Sequence, residues 1–153
     1  EGLGPRAKAA MLASKATEKK LLGKKNNKGF YRYNEKGQPD GVNSQMQEIL
    51  PNKKLKLDET TIQMRVFLPM INEAAAILDE GIVEDAATVD LGLIFGIGFP
   101  PFRGGLLKYA DREGLERIYT AIEKFSQSVD QNRYAPQNFL KKLVDDKKKF
   151  YDI

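Results

Sequence analysis

The chain has 153 residues and a net charge of +4, long enough to bury a core without disulfide or metal staples. It contains no cysteine and no histidine, which excludes disulfides, thiolate metal sites, cysteine nucleophiles and histidine-based acid–base chemistry carried by this chain alone. Residues 1–56 hold 13 Lys and Arg against 5 Asp and Glu, residues 57–153 hold 12 against 16, so the first third is a candidate anion-binding end.

Pro5 suits a first helical turn, and the helix formers after it predict a helix from Pro5 to about Leu22, stopped by Gly23. Phe30, Tyr31, Arg32 and Tyr33 suit a short extended segment near residues 28–34, closed by an Asn34–Gly37 turn. Residues 38–57 are polar and broken by Pro39, Gly41 and Pro51. They read as a linker around a short helix at Ser44–Leu50. From Asp58, an N-cap candidate, Ile62, Val66, Met70, Ile71, Ala74, Ile77 and Leu78 recur at helical spacing up to a stop at Gly81. Pro69 should kink that helix, and Asn72 and Glu73 stand as polar groups amid its apolar run.

A further helix is predicted from Asp85 to Phe95, with Ala86, Val89, Leu93 and Ile94 inward and Gly96 as its stop. Gly105 to Gly114 gives a short helix, Leu115 to Val129 an amphipathic one, and Pro136 opens the last before a charged tail. With no βαβ alternation and no repeat, the class is all-α with one small extended element. No apolar run approaches the roughly 18 residues of a membrane span. The start, Glu-Gly-Leu-Gly-Pro, has neither an initiating methionine nor an apolar stretch, so no signal peptide is expected and the chain reads as a piece of a longer polypeptide.

Three glycine-bearing segments invite functional readings. Lys24–Tyr33 interleaves bases with aromatics as nucleic-acid binders do. Tyr31 nevertheless stands where the RNA-recognition core needs Gly or Ala, and no four-stranded sheet is predicted to present it. "GKKNNKG" lacks the Gly-Lys-Ser/Thr ending of a phosphate loop, and "GLGPR" lacks the preceding strand of a dinucleotide fingerprint. "GIGFPPFRGG", Gly96 to Gly105, is the most distinctive. As a corner, Gly96 and Gly98 permit the turn, Pro100 and Pro101 stiffen it, and Phe99 and Phe102 pin it to the core. As a site, Phe95, Phe99 and Arg103 would line a groove for an apolar ligand, since aromatic walls with one placed cation are the usual make-up. Of the acidic group Asp79, Glu80, Glu84, Asp85 and Asp90, the last is expected to anchor the loop through Arg103, while Glu84 and Asp85 suit a helix N-terminus.

"NEAAAILDEG", "DLGLIFGIGFPPFRGG" and "ADREGL" together resemble the C-terminal helical domain of 3-hydroxyacyl-CoA dehydrogenases. More narrowly, they resemble the second copy of that domain in the fused β-oxidation enzymes, the fatty acid oxidation complex α-subunits. "LLGKKNNKGFYRY" resembles the segment that closes the first copy. The resemblance implies an all-α domain of the 6-phosphogluconate dehydrogenase C-terminal type. Residues 1–37 would be the tail end of the first copy, 38–57 a linker and 58–153 the second copy.

It also implies a parent, bifunctional with enoyl-CoA hydratase, that oxidises 3-hydroxyacyl-CoA with NAD. The catalytic His–Glu pair and the NAD fold would lie upstream, so this chain would have no catalytic residue, bind no metal and no NAD itself, and meet acyl-CoA only as part of the parent. Met64 stands where the family places a substrate-binding Asn, and a thioether cannot donate that hydrogen bond. Phe95 stands where members often carry Tyr. The implied partners are the upstream nucleotide-binding domain and first helical copy, the thiolase subunit of the parent complex and, for the isolated chain, a second copy of itself. The basic residues 1–56 would help attract CoA phosphates, and the bacterial cytoplasm is expected before mitochondrion or peroxisome. A pure dimerisation module is the alternative, and nucleic-acid binding through Lys24–Tyr33 the weakest reading.

Overall fold

A computed structural model describes residues 11–50 and 55–153, which fall into two compact units, one within residues 1–56 and one within 57–153. The predicted start of the first helix at Pro5 lies outside the described residues.

In the first unit, α1 (Met11–Glu18) ends before Gly23, because Lys20 turns left-handed at φ 56 and Leu21 bonds back to the Ala16 carbonyl. Two strands follow, β1 (Tyr31–Tyr33) and β2 (Pro39–Val42), paired antiparallel with Tyr31 opposite Val42 and Tyr33 opposite Pro39. The Asn34 side chain builds their turn by accepting the amides of Lys36 and Gln38, both at 3.0 Å. The segment expected as a linker thus holds a strand as well as α2 (Ser44–Ile49). Proline and glycine conceal an edge strand because neither carries its usual propensity. Buried Asn43 ties the pieces together: its Oδ1 caps α2 at the Gln45 amide, and its Nδ2 donates to the Gly29 carbonyl. Among the described residues the core is Ala16, Leu21 and Met46.

The second unit is a helical assembly around α3 (Glu59–Asp79). Asp58 caps it through the Thr61 amide at 2.9 Å, and Gly81, at φ 66, lets the Ile82 amide return to the Ile77 carbonyl. The helix runs on through Pro69. Leu68, Ile71, Ala74 and Ala75 pack against α5 (Leu106–Glu113), α6 (Leu115–Ser128) and α7 (Asn138–Asp145). Asn72 bridges two ends of the segment before α7: its Nδ2 donates to the Ala135 carbonyl and its Oδ1 accepts the Gln137 amide. Tyr134 lies buried there on Phe125, its hydroxyl donating to the Arg65 carbonyl at 3.0 Å.

Three expectations for this unit change. Helix α4 (Ala86–Ile97) runs past Gly96 and stops at Gly98, the residue that adopts φ 72. The last helix begins at Asn138, two residues after Pro136. The charged tail closes in a 3-10 turn, Phe150–Asp152, with Phe150 fully buried.

Candidate functional site

The chain turns sharply after α4. Gly98 donates to the Ile94 carbonyl and Phe99 to the Leu93 carbonyl, so the left-handed glycine closes the helix. Pro101–Arg103 form a 3-10 turn, Pro100 preceding it, and Gly104 (φ 82) and Gly105 (φ 117) carry the chain into α5.

Asp90 organises this corner, though not as expected. Its carboxylate is buried and accepts the Leu107 amide at 2.7 Å, the Lys108 amide at 3.0 Å and the Tyr151 hydroxyl at 2.8 Å. It therefore caps α5 from a neighbouring helix, a role its own N-cap residue, Gly105, cannot fill. Gly105 is held to glycine for the same reason: a Cβ there would fall 2.1 Å from the Asp90 Cγ. Among the described residues Arg103 forms no ion pair. Its guanidinium lies instead over the rings of Phe102 at 5.8 Å and Tyr109 at 5.3 Å.

The aromatic residues also separate. Phe99 is buried at 4% exposure against Phe67, so it faces the core and not a groove. Phe102, expected to pin the loop inward, is 83% exposed, and Phe95 84%. These two residues sit on the outer side of α4 and its following turn, where Leu91 and Ile97 are exposed as well.

The tail completes the corner. The Asp111 carboxylate accepts the Phe150 amide at 2.9 Å and the Tyr151 amide at 3.2 Å, and the Lys108 ammonium lies 4.2 Å from the Tyr151 ring centre. Burial pushes the Asp111 carboxyl above its ordinary range, against the pull of those amides. Burial, then the hydrogen bond and charge of Asp90, push the Tyr151 phenol up to about 12. Neither residue stands out in the sequence: Asp111 had only its place in "ADREGL", and Tyr151 lies in a run of charges.

One cleft opens beside the corner, with a volume of about 170 Å³. Met64, Phe67, Leu68 and Ile71 of α3 and Ile118 of α6 form its apolar wall, and Arg103, Tyr109, Glu113 and Arg117 its polar side. Of the sequence-predicted site residues, only Arg103 reaches this cleft, whose lining also holds Met64. Glu113 and Arg117 pair at 3.0 Å across one turn. Among the described residues no three His, Cys, Asp or Glu are grouped to hold a metal ion, and no helix is long and apolar enough to cross a membrane.

Comparison with known proteins gives a consistent result. The family described as 3-hydroxyacyl-CoA dehydrogenase, C-terminal domain, matches residues 62–150, more than half of the chain. The fatty acid oxidation complex subunit alpha of Idiomarina loihiensis is 41% identical over 97% of this chain, and that of Vibrio vulnificus is 38% identical over 85%. This chain spans only about a fifth of their length, 21% and 18%. The crystal structure of the dehydrogenase part of multifunctional enzyme 1 from C. elegans shares the fold, with a TM-score of 0.61 and 21% identity over 88% of this chain and 33% of that one. The motifs around Asn72, Asp90 and the glycine-rich corner thus sit in an all-α fold of known kind, and the chain belongs to the 3-hydroxyacyl-CoA dehydrogenase C-terminal domain family.

Proposed function

We propose that this chain is a non-catalytic helical part of a bifunctional β-oxidation enzyme, an enoyl-CoA hydratase and NAD-dependent 3-hydroxyacyl-CoA dehydrogenase. It would complete the acyl-CoA cleft and support packing between two helical copies, with residues 1–37 ending the first copy and 58–153 forming the second. The observation that carries this reading is Met64. It stands on the wall of a cleft in a family domain, in a chain without histidine, where a thioether offers no proton and no donor. NAD would be held by the upstream domain, and the upstream domain, the first copy and a thiolase subunit would be the partners, in a bacterial cytoplasm. Arg103 and Phe95 are the residues proposed to face the parent's substrate cleft.

The test is to express the upstream part of the parent enzyme and follow NADH consumption on a 3-ketoacyl-CoA with and without this chain. Restored activity on adding the chain is the expected result. An upstream part equally active alone would overturn the cleft role, and turnover by this chain alone would overturn the non-catalytic reading.

A packing module is the second reading. Exposed Ile62 and Val66 on α3, with Phe95 and Phe102, favour it, since such residues are usually covered at interfaces. Light scattering that shows a strict monomer at high concentration would count against self-association.

A further inference from the structure

We propose that the cleft between α3 and the α5–α6 corner binds a small monocarboxylate with an apolar tail, the carboxylate on Arg103 and the tail along Met64 and Phe67. The inference concerns this chain's own cleft and stands whether or not the chain completes a dehydrogenase.

The charge of the lining selects the head group. Arg103, Arg117 and Glu113 are its charged members, and Glu113 is already paired with Arg117. One positive charge is therefore left over, on Arg103, which forms no ion pair among the described residues. The guanidinium is held over two ring faces, of Phe102 and Tyr109. Stacking of that kind restricts its orientation while leaving N–H edges free for a planar bidentate acceptor, the geometry a carboxylate offers. Arg112 lies over the same Tyr109 ring at 5.9 Å and adds to the positive field.

The wall selects the tail. Met64 and Phe67 are half-buried, while Leu68 and Ile71 are already buried, so an alkyl chain laid on the first two would displace water from apolar surface. Methionine adapts its three rotatable bonds to an irregular ligand. The volume of about 170 Å³ lies below that of drug-sized sites and restricts the occupant to a short chain. Thr60 and Gln63, in the same lining, add neutral polar groups and no further charge.

The chain carries four methionines, Met11, Met46, Met64 and Met70, which makes methyl-labelled methionine a direct probe. The chain of 153 residues is titrated with octanoate, and separately with octanamide and acetate, while the four methyl resonances are followed by NMR. Octanoate should move Met64 along a saturable single-site curve and leave Met11 and Met46, in the other unit, in place. Octanamide, which lacks the charge, and acetate, which lacks the tail, should each bind at least about tenfold more weakly. Arg103→Gln should reduce octanoate to the level of octanamide. Equal binding of octanoate and octanamide, no movement of Met64, or an unchanged octanoate curve in Arg103→Gln would each overturn the site. Should that variant fail to fold, the octanoate–octanamide comparison on the unaltered chain decides alone.

Discussion

Asp90 shows how one buried carboxylate can fix a corner that ten residues of loop sequence do not explain. Its two oxygens satisfy the Leu107 and Lys108 amides, two of the donors that every helix N-terminus leaves open, and Gly105 leaves the room for it to do so. Asp90→Ala should therefore destabilise the fold by about 3 kcal/mol, because it strands buried amides as well as removing an acceptor. Gly105→Ala should cost a similar amount, about 3 kcal/mol, combining a left-handed φ with a collision against Asp90. Urea titration of each variant followed by circular dichroism checks both values, and a loss below about 0.5 kcal/mol would show that the corner rearranges freely. The sequence made Asp90 conspicuous as a charge in an apolar helix, yet it suggested the wrong partner. Arg103 is the nearest cation of the loop in the chain, but an acceptor competes for amides as readily as for guanidinium, and sequence does not show which amides a neighbouring helix will leave open. The same limit hid Tyr151 and Asp111, whose partners lie 61 and 39 residues away.

At the scale of elements, the helices were legible where one residue type settles the end. Asp58 and Gly81 bound α3 where predicted, since a carboxylate N-cap and a left-handed glycine act within their own turn. Gly96 misled because a glycine inside an apolar helix is tolerated, and only Gly98 has the φ that ends α4. The tail was missed for a different reason: Phe150 is a lone aromatic among lysines and aspartates, without periodicity to reveal it. Its closing turn is nonetheless held by two carboxylates, and this yields a pH prediction at the alkaline end. The Tyr151 phenol ionises near 10 when unfolded and about 12 when folded. A group raised in this way contributes stability that is full below pH 10 and lost as pH rises through 12. Tyr151→Phe should cost about 1 kcal/mol at neutral pH, a modest figure for a ring over a third exposed. The variant should also lose less stability than the parent chain between pH 10 and 12. Phenolate absorbance supplies the second readout, since the late-ionising tyrosine should vanish from the variant's titration. An unchanged titration would mean that Asp90 and Tyr151 do not share a proton-bearing contact in solution.

Across the whole molecule the two units differ most in what they bury. Among the described residues the second gathers seventeen buried residues into one cluster, from Leu68 to Phe150, whereas the first shows Ala16, Leu21 and Met46 with Leu12 and Ile49 beside them. Burial of apolar area is the main favourable term in folding, and chain entropy must be recovered from it residue by residue. The elements described there, a paired ribbon of three and four residues and helices of eight and six, have little area to set against that loss. Its order then leans on polar links such as Asn43, each contributing roughly 1 kcal/mol. The first unit should accordingly exchange its amide hydrogens by local opening, with protection in α1 and β1 at least about a hundredfold below that in α3 and α5. Residues 57–153 expressed alone should keep the helical signal of their unit and a melting temperature within about 5 °C of the full chain, because the large cluster lies wholly within them. Hydrogen exchange read by mass spectrometry separates this from the alternative. Uniform protection across both units, or collapse of the shorter chain, would mean that the two fold as one cooperative body.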